Sequence, residues 1–232
     1  MFANACASNR EAIYGLLASS PLKQPQMAVS AGSAFMIAPG LLVTAAHGVH
    51  LDSIPSRPVH QKFEVIRAPD VGQRMEVATF VAKDPVKDLA LLRIDKPRSS
   101  SCLGLLKTAV LRGTACGSLG FPLAQVAPAS QGLNFNLVER FQGAYVSALV
   151  TSADQQGNSL TFYETDSLMY RGSSGCPGFV KSGEVFGMQS HSLVEQQGQG
   201  TSPAGAQTRL AISRWVTSMD IVAFAFANGI TP

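Results

Sequence analysis

Charge is scarce in this 232-residue chain: Asp, Glu, Lys and Arg make up 14% of it and leave a net charge of +3. So mild an excess, with no Lys/Arg cluster able to track a phosphate backbone, argues against DNA or RNA as a partner. Hydrophobic residues reach 46%, which excludes a disordered chain. No uninterrupted apolar run has membrane-spanning length, so no membrane partner is expected. The stretch Met1 to Ser8 lacks the positive n-region and the sustained apolar run of a secretory signal. The four cysteines, Cys6, Cys102, Cys116 and Cys176, form no C-x-x-C pair and have no histidines at zinc-finger spacing. Together these absences predict a soluble, cytoplasmic protein in a reducing compartment. His50, three residues after His47, raises a metal-pair reading, but no convincing third ligand accompanies it, and no cofactor is expected.

The length allows one large domain or two small ones. Apolar residues at 12, 13, 16 and 17, after Ser8 as a capping residue, have a helical period and predict a short N-terminal helix. Pro21 and Pro25 end that pattern. A hairpin is predicted over 33–46 with its turn at Ala38-Pro39-Gly40, then strands over 62–67, 75–83 and 89–94. Lys96 to Ser101 reads as a linker, and strands resume over 109–118, 137–150 and 159–165, with a loop-rich stretch over 124–134. Another hairpin spans 179–190, the Gln- and Gly-rich segment 195–207 reads as a surface loop, and apolar positions at helical spacing over 212–228 predict a C-terminal helix. Short strands separated by Gly, Pro and Asp turns at this density give an all-β barrel or sandwich.

Chemistry is concentrated in three boxes. Arg171-Gly172-Ser173-Ser174-Gly175 holds serine hydroxyls on a glycine-flanked turn, and a serine nucleophile needs a base to take its proton and donors for the oxyanion it creates. A base is available in Thr44-Ala45-Ala46-His47, where an apolar strand stops in small residues. An acid is available in Asp88-Leu89-Ala90-Leu91-Leu92, directly ahead of an apolar strand; Asp84 is its rival and reads as a turn cap. The order His, Asp, Ser differs from that of subtilisin and of the α/β-hydrolases.

These boxes resemble those of the chymotrypsin-like (trypsin-fold) serine proteases. The spacing of Thr165-Asp166 to the serine box, with Gly32-Ser33-Ala34-Phe35 and Val185-Phe186-Gly187-Met188, is most similar to the bacterial high-temperature-requirement type. The resemblance implies two antiparallel β-barrels: a helical segment over 1–25, a first barrel over 26–97, a linker over 98–108, a second barrel over 109–211 and a helix over 212–232. It implies a His47–Asp88–Ser174 triad, with Ser174 rather than Ser173 as nucleophile, and an oxyanion hole from the N–H groups of Gly172 and Ser174. Leu168 falls at the floor of the primary pocket and Ser190, His191 and Ser192 along its wall, with Ser190 also within reach of Asp88. An apolar floor suits a small or medium apolar side chain before the cleaved bond.

The expected activity is endopeptidase hydrolysis of protein or peptide substrates. The alternatives are a pseudoprotease that binds peptides, or an effector protease latent until a protein partner activates it. Cys176 stands where such enzymes carry a second glycine, and reads as a packed small residue or as a redox brake. No Ile-Val-Gly-Gly-type start is present, so trypsinogen-like activation is not expected, nor is a C-terminal peptide-binding module.

Overall fold

The computed structural model describes residues 2–21, 27–50, 59–129, 132–153, 157, 159–196 and 207–232. Six strands build a first closed antiparallel barrel: β1 (Ile13–Pro21), β2 (Met27–Ala38), β3 (Leu41–Ala45), β4 (Lys62–Arg67), β5 (Glu76–Asp84) and β6 (Leu89–Arg93). Their order is β1-β2-β3-β6-β5-β4, and pairing of β1 with β4 closes the circle. Six more build the second: β7 (Ala115–Gly120), β10 (Arg140–Ala153), β11 (Ser159–Thr165), β12 (Pro177–Val180), β13 (Val185–Gln196) and β14 (Gln207–Thr217), in the order β10-β11-β14-β13-β12-β7. Between β7 and β10 the hairpin β8 (Gln125–Ala129) and β9 (Gly132–Asn136) forms a two-stranded sheet of its own. Helix α1 (Ala3–Asn9) precedes the first barrel, α2 (Ala46–Val49) is a single turn after β3, and α3 (Ser218–Ala227) follows β14. The fold is therefore all-β, two barrels of the chymotrypsin-like kind. Among the described residues no helix is long and apolar enough to cross a membrane.

Burial explains where the sequence misleads. The apolar positions at 12, 13, 16 and 17 predict a helix, but the chain from Ile13 to Ser20 is strand β1, buried on both faces. One face belongs to the barrel; on the other, a Cβ at Gly15 would meet Leu137 at 2.8 Å and Phe121 at 3.3 Å, both from the second half of the chain. A strand buried on both sides keeps no period of two. The short helix lies upstream instead, at Ala3–Asn9, so the segment 1–25 is only partly helical and the first barrel begins at residue 13. The predicted helix over 212–228 is half right: Trp215 and Val216 lie in β14, which pairs with both β11 and β13, and the helix starts only where Thr217 accepts a hydrogen bond from the Asp220 N–H. The second barrel thus runs to residue 217. Its first strand starts at Ala115 rather than near 109, and the stretch 124–134 contains the β8–β9 hairpin instead of loop alone. The loop expected over 195–207 falls mostly outside the described residues.

Candidate active site

The all-buried strand β3 ends in the α2 turn, which presents His47, and its hydrogen-bonded neighbour β6 begins beside it with Leu89. Asp88 sits at the head of β6 with φ +56°, an uncommon conformation for a residue with a Cβ. The turn before it is capped by Asp84, whose Oδ1 accepts from the N–H groups of Val86 and Lys87 at 3.0 Å each. The strained residue is held from both sides: Ala46 N–H donates to the Asp88 carbonyl at 3.0 Å and His47 N–H donates to Asp88 Oδ1 at 2.9 Å. The carboxylate then lies along the imidazole, with His47 Nδ1 2.9 Å from Oδ2 and 3.0 Å from Oδ1. Ser190 Oγ donates to Oδ2 at 2.5 Å from the second barrel.

On the far side of the ring, His47 Nε2 is 2.7 Å from Ser174 Oγ. Because the carboxylate fixes the proton on Nδ1, Nε2 carries the lone pair that accepts from the serine hydroxyl. Burial acts to lower the His47 pKa, but the hydrogen bond and charge of Asp88 outweigh it and raise the pKa above the ordinary imidazole value. Burial likewise acts to raise Asp88, and is outweighed by the hydrogen bond and charge of His47 and by Ser190, which hold the carboxyl below the ordinary value.

The backbone around Ser174 is tied down carbonyl by carbonyl. Arg171 O accepts from Leu123 N–H at 2.5 Å, Gly172 O from Ser33 Oγ at 3.0 Å, Ser173 O from Cys176 N–H at 2.9 Å and Ser174 O from Ser33 N–H at 2.9 Å. In a trans peptide the N–H points opposite to the C=O. With the Arg171 and Ser173 carbonyls turned inward, the N–H groups of Gly172 and Ser174 are left without a backbone acceptor among the described residues. Gly172 has φ +88°, and a Cβ there would lie 2.5 Å from Phe121 O, so only glycine fits. Gly175, with φ +84°, is more constrained still, since its Cβ would lie 1.9 Å from Ser33 O.

The other residues singled out from the sequence have varied surroundings. Ser173 Oγ is buried without a hydrogen-bond partner among the described residues, whereas Ser174 Oγ meets His47 Nε2. Leu168 is half-buried, its carbonyl accepting from Gln142 Nε2 at 2.7 Å. His191 reaches the surface with its ring partly buried, 3.1 Å from Ser190 Oγ through Nδ1 and edge-on to Phe162, and that partial burial and then the Arg214 charge lower its pKa. Since the single Ser190 proton goes to Asp88, His191 Nδ1 is the donor in that contact. Ser192 pairs with Ser213 across β13 and β14. His50 and His60 are buried outside the constellation. Cys176 is buried with its thiol pushed up to about 11 by desolvation, so it stays protonated and packs as a small apolar group.

Sequence reasoning gave Ser33, Phe121 and Leu123 no role, although Ser33 lies in the Gly32-Ser33-Ala34-Phe35 stretch ahead of the histidine strand. The signal that marks them, hydrogen bonds to the serine turn and to one another from segments remote in the chain, exists only in three dimensions.

Two all-β barrels with a serine, a histidine and an aspartate converging at their junction define the class of chymotrypsin-like serine peptidases. The chain belongs to the trypsin-like peptidase domain family, whose model matches residues 32–188. It is 29% identical over 160 residues to the periplasmic serine endoprotease DegP of Salmonella typhimurium, a match covering 68% of this chain and 30% of that protein. With the mitochondrial serine protease HTRA2 of Bos taurus it shares 28% identity over 184 residues, covering 75% of this chain and 34% of the other. It thus spans about a third of the length of these relatives, which place it with the HtrA type. Among solved structures, the active form of the Rv3671c protease from M. tuberculosis superposes with a TM-score of 0.68 at 19% identity, covering 98% of this chain and 85% of that one. The HtrA-type protease AlgW with tripeptide also gives a TM-score of 0.68, at 21% identity and covering 97% of this chain and 63% of that one.

Proposed function

We propose that this chain is a serine endopeptidase using His47, Asp88 and Ser174 as a triad, and the observation that carries the reading is the 2.7 Å approach of His47 Nε2 to Ser174 Oγ. Ser174 Oγ forms a bond to the peptide carbonyl carbon as its proton moves to Nε2, and the charge that gathers on the carbonyl oxygen meets the N–H groups of Gly172 and Ser174. Collapse of that adduct breaks the C–N bond, and Nε2–H gives its proton to the departing amine. Water then repeats the sequence against the acyl-enzyme, with His47 again as base. Asp88 fixes the tautomer and balances the imidazolium formed twice in each cycle, and Ser190 keeps the carboxylate ionised. The Arg171 carbonyl, turned towards Leu123 and away from the serine, supports a site competent without an activating partner.

A small or medium apolar residue before the cleaved bond is the proposed preference, supported by Leu168 six residues ahead of the nucleophile and tested by a peptide-library digest. A cytoplasmic location is proposed with it, supported by four free thiols and tested by cell fractionation. The central test is labelling of the purified chain by a fluorophosphonate, located by mass spectrometry. Modification of Ser174 that disappears in His47→Ala and Ser174→Ala is the expected result. Absence of labelling, or labelling indifferent to His47, overturns the reading.

A further inference from the structure

Ser33 lies on β2 of the first barrel, fully buried, and no step of the chemistry above uses its side chain. Its hydroxyl has one proton to give and two lone pairs with which to accept, and all three are committed at the barrel junction. Ser33 Oγ donates to Gly172 O at 3.0 Å and accepts from Phe121 N–H at 3.0 Å and from the Cys176 thiol at 3.2 Å. Its own N–H donates to Ser174 O at 2.9 Å, and its carbonyl accepts from Thr44 Oγ1 at 2.7 Å.

The consequence for the serine turn is specific. Gly172 O and Ser174 O bracket the Ser173–Ser174 peptide, so one residue holds both flanks of the amide that carries the Ser174 N–H. The Phe121 amide, two residues before Leu123, anchors the segment whose Leu123 N–H turns the Arg171 carbonyl away from the serine. Both candidate oxyanion donors are thus oriented by Ser33 of the opposite barrel, the Ser174 N–H by its hydroxyl and backbone N–H together and the Gly172 N–H by its hydroxyl through the 121–123 segment. Alanine would leave a buried carbonyl and a buried N–H without partners, while the β2 backbone tie to Ser174 O would survive.

We propose that Ser33 is a positioning residue for the oxyanion site: its hydroxyl sets the orientation of the Gly172 and Ser174 N–H groups, so that the transition state, more than substrate binding, depends on it. The proposal rests on the serine-peptidase reading for its catalytic consequence, but its structural core can be measured without turnover. Residues that only stabilise the fold lower its stability without moving the chemical step. A positioning residue lowers kcat while KM stays near its original value.

The test compares the unaltered chain with Ser33→Ala, Ser33→Cys and Asn9→Ala. Asn9→Ala removes a buried hydrogen bond, Asn9 Nδ2 to Gly183 O at 2.8 Å, and serves as the destabilised control. The readouts are the rate of fluorophosphonate labelling at Ser174, kcat and KM on a cleavable peptide, and hydrogen–deuterium exchange of the peptides covering residues 168–176. Ser33→Ala is expected to label about ten- to hundredfold more slowly, as small misplacements of reacting groups cost, with the loss in kcat and faster exchange over 171–174. Ser33→Cys, which keeps a weak donor and acceptor, should fall between, and it carries the comparison if Ser33→Ala does not fold. Asn9→Ala should label at the original rate. Labelling of Ser33→Ala at the original rate, or a loss matched by Asn9→Ala, overturns the proposal while the peptidase reading stands. If the unaltered chain does not label at all, that reading fails by itself, and the exchange at 171–174 decides the positioning claim: unchanged exchange in Ser33→Ala overturns it and faster exchange upholds it.

Discussion

At the scale of single residues, the site is governed by the coupling of His47 to Asp88. His47 has a raised pKa in the folded chain, so its contribution to stability is complete below the ordinary imidazole value of about 6.5 and is lost as pH rises through the higher folded value. Asp88 has a lowered pKa, so its contribution is present above the ordinary carboxyl value and is lost as pH falls through the lower folded one. Catalysis needs the opposite state of His47, the neutral base. The acid limb of kcat/KM is therefore expected above the ordinary imidazole value, measurable on any cleavable peptide across pH. Asp88→Asn removes both the charge and the tautomer control: the rate should fall on the order of 10⁴-fold and the limb should move to lower pH. A limb unmoved by that substitution would show that His47 is not the titrating base. At this scale the sequence was most informative. The candidate serines, histidine and aspartate stood out by residue type and neighbours, whereas Ser33 could not, because a buried serine in a strand looks like any other until its three hydrogen bonds are seen.

Among elements, helix α3 links the end of the second barrel to the turn that presents Asp88. Thr217 caps the helix by accepting from Asp220 N–H at 3.1 Å, and Asp220 in turn receives the Lys87 ammonium at 2.6 Å, one residue from Asp88. Thr217→Ala is expected to cost about 0.5–2 kcal/mol, read from urea denaturation, with labelling of Ser174 retained. Lys87→Ala removes a partly exposed ion pair and should cost no more than about 1 kcal/mol. A large fall in activity in Lys87→Ala would instead assign the pair a role in placing Asp88. The β2–β3 hairpin and strands β4 to β6 were legible because turn residues bracket them. Strands β1 and β14 were not, because each is completed on one side by a partner distant in sequence: β1 by β4, β14 by β11. Their apolar spacing fits a helix face equally well, and pairing settles the matter.

For the molecule as a whole, the site is a property of the junction between the barrels. His47 and Asp88 belong to one barrel, Ser174 and Ser190 to the other, and the two barrels pack closely at Gly175. A Cβ at Gly175 would stand 1.9 Å from Ser33 O and 2.6 Å from Thr44 Oγ1, both on the opposite barrel, at a φ that L residues avoid. Gly175→Ala should therefore push the barrels apart, costing at least about 1–3 kcal/mol as overpacked sites do, with a lowered Tm and loss of Ser174 labelling together. Retained labelling with an unchanged Tm would mean that the junction yields more easily than its packing suggests. The sequence by itself determined the class of fold, the strand-and-turn grammar of most elements and which side chains are candidates for the proposed chemistry, because these depend on residue type and near neighbours. Only the tertiary structure decided that the Arg171 carbonyl faces Leu123 and that Ser33 ties both flanks of the serine turn. Those outcomes depend on hydrogen bonds between segments up to 141 residues apart in the chain, Ser33 N–H to Ser174 O (174 − 33 = 141), and no local pattern encodes which backbone groups will meet.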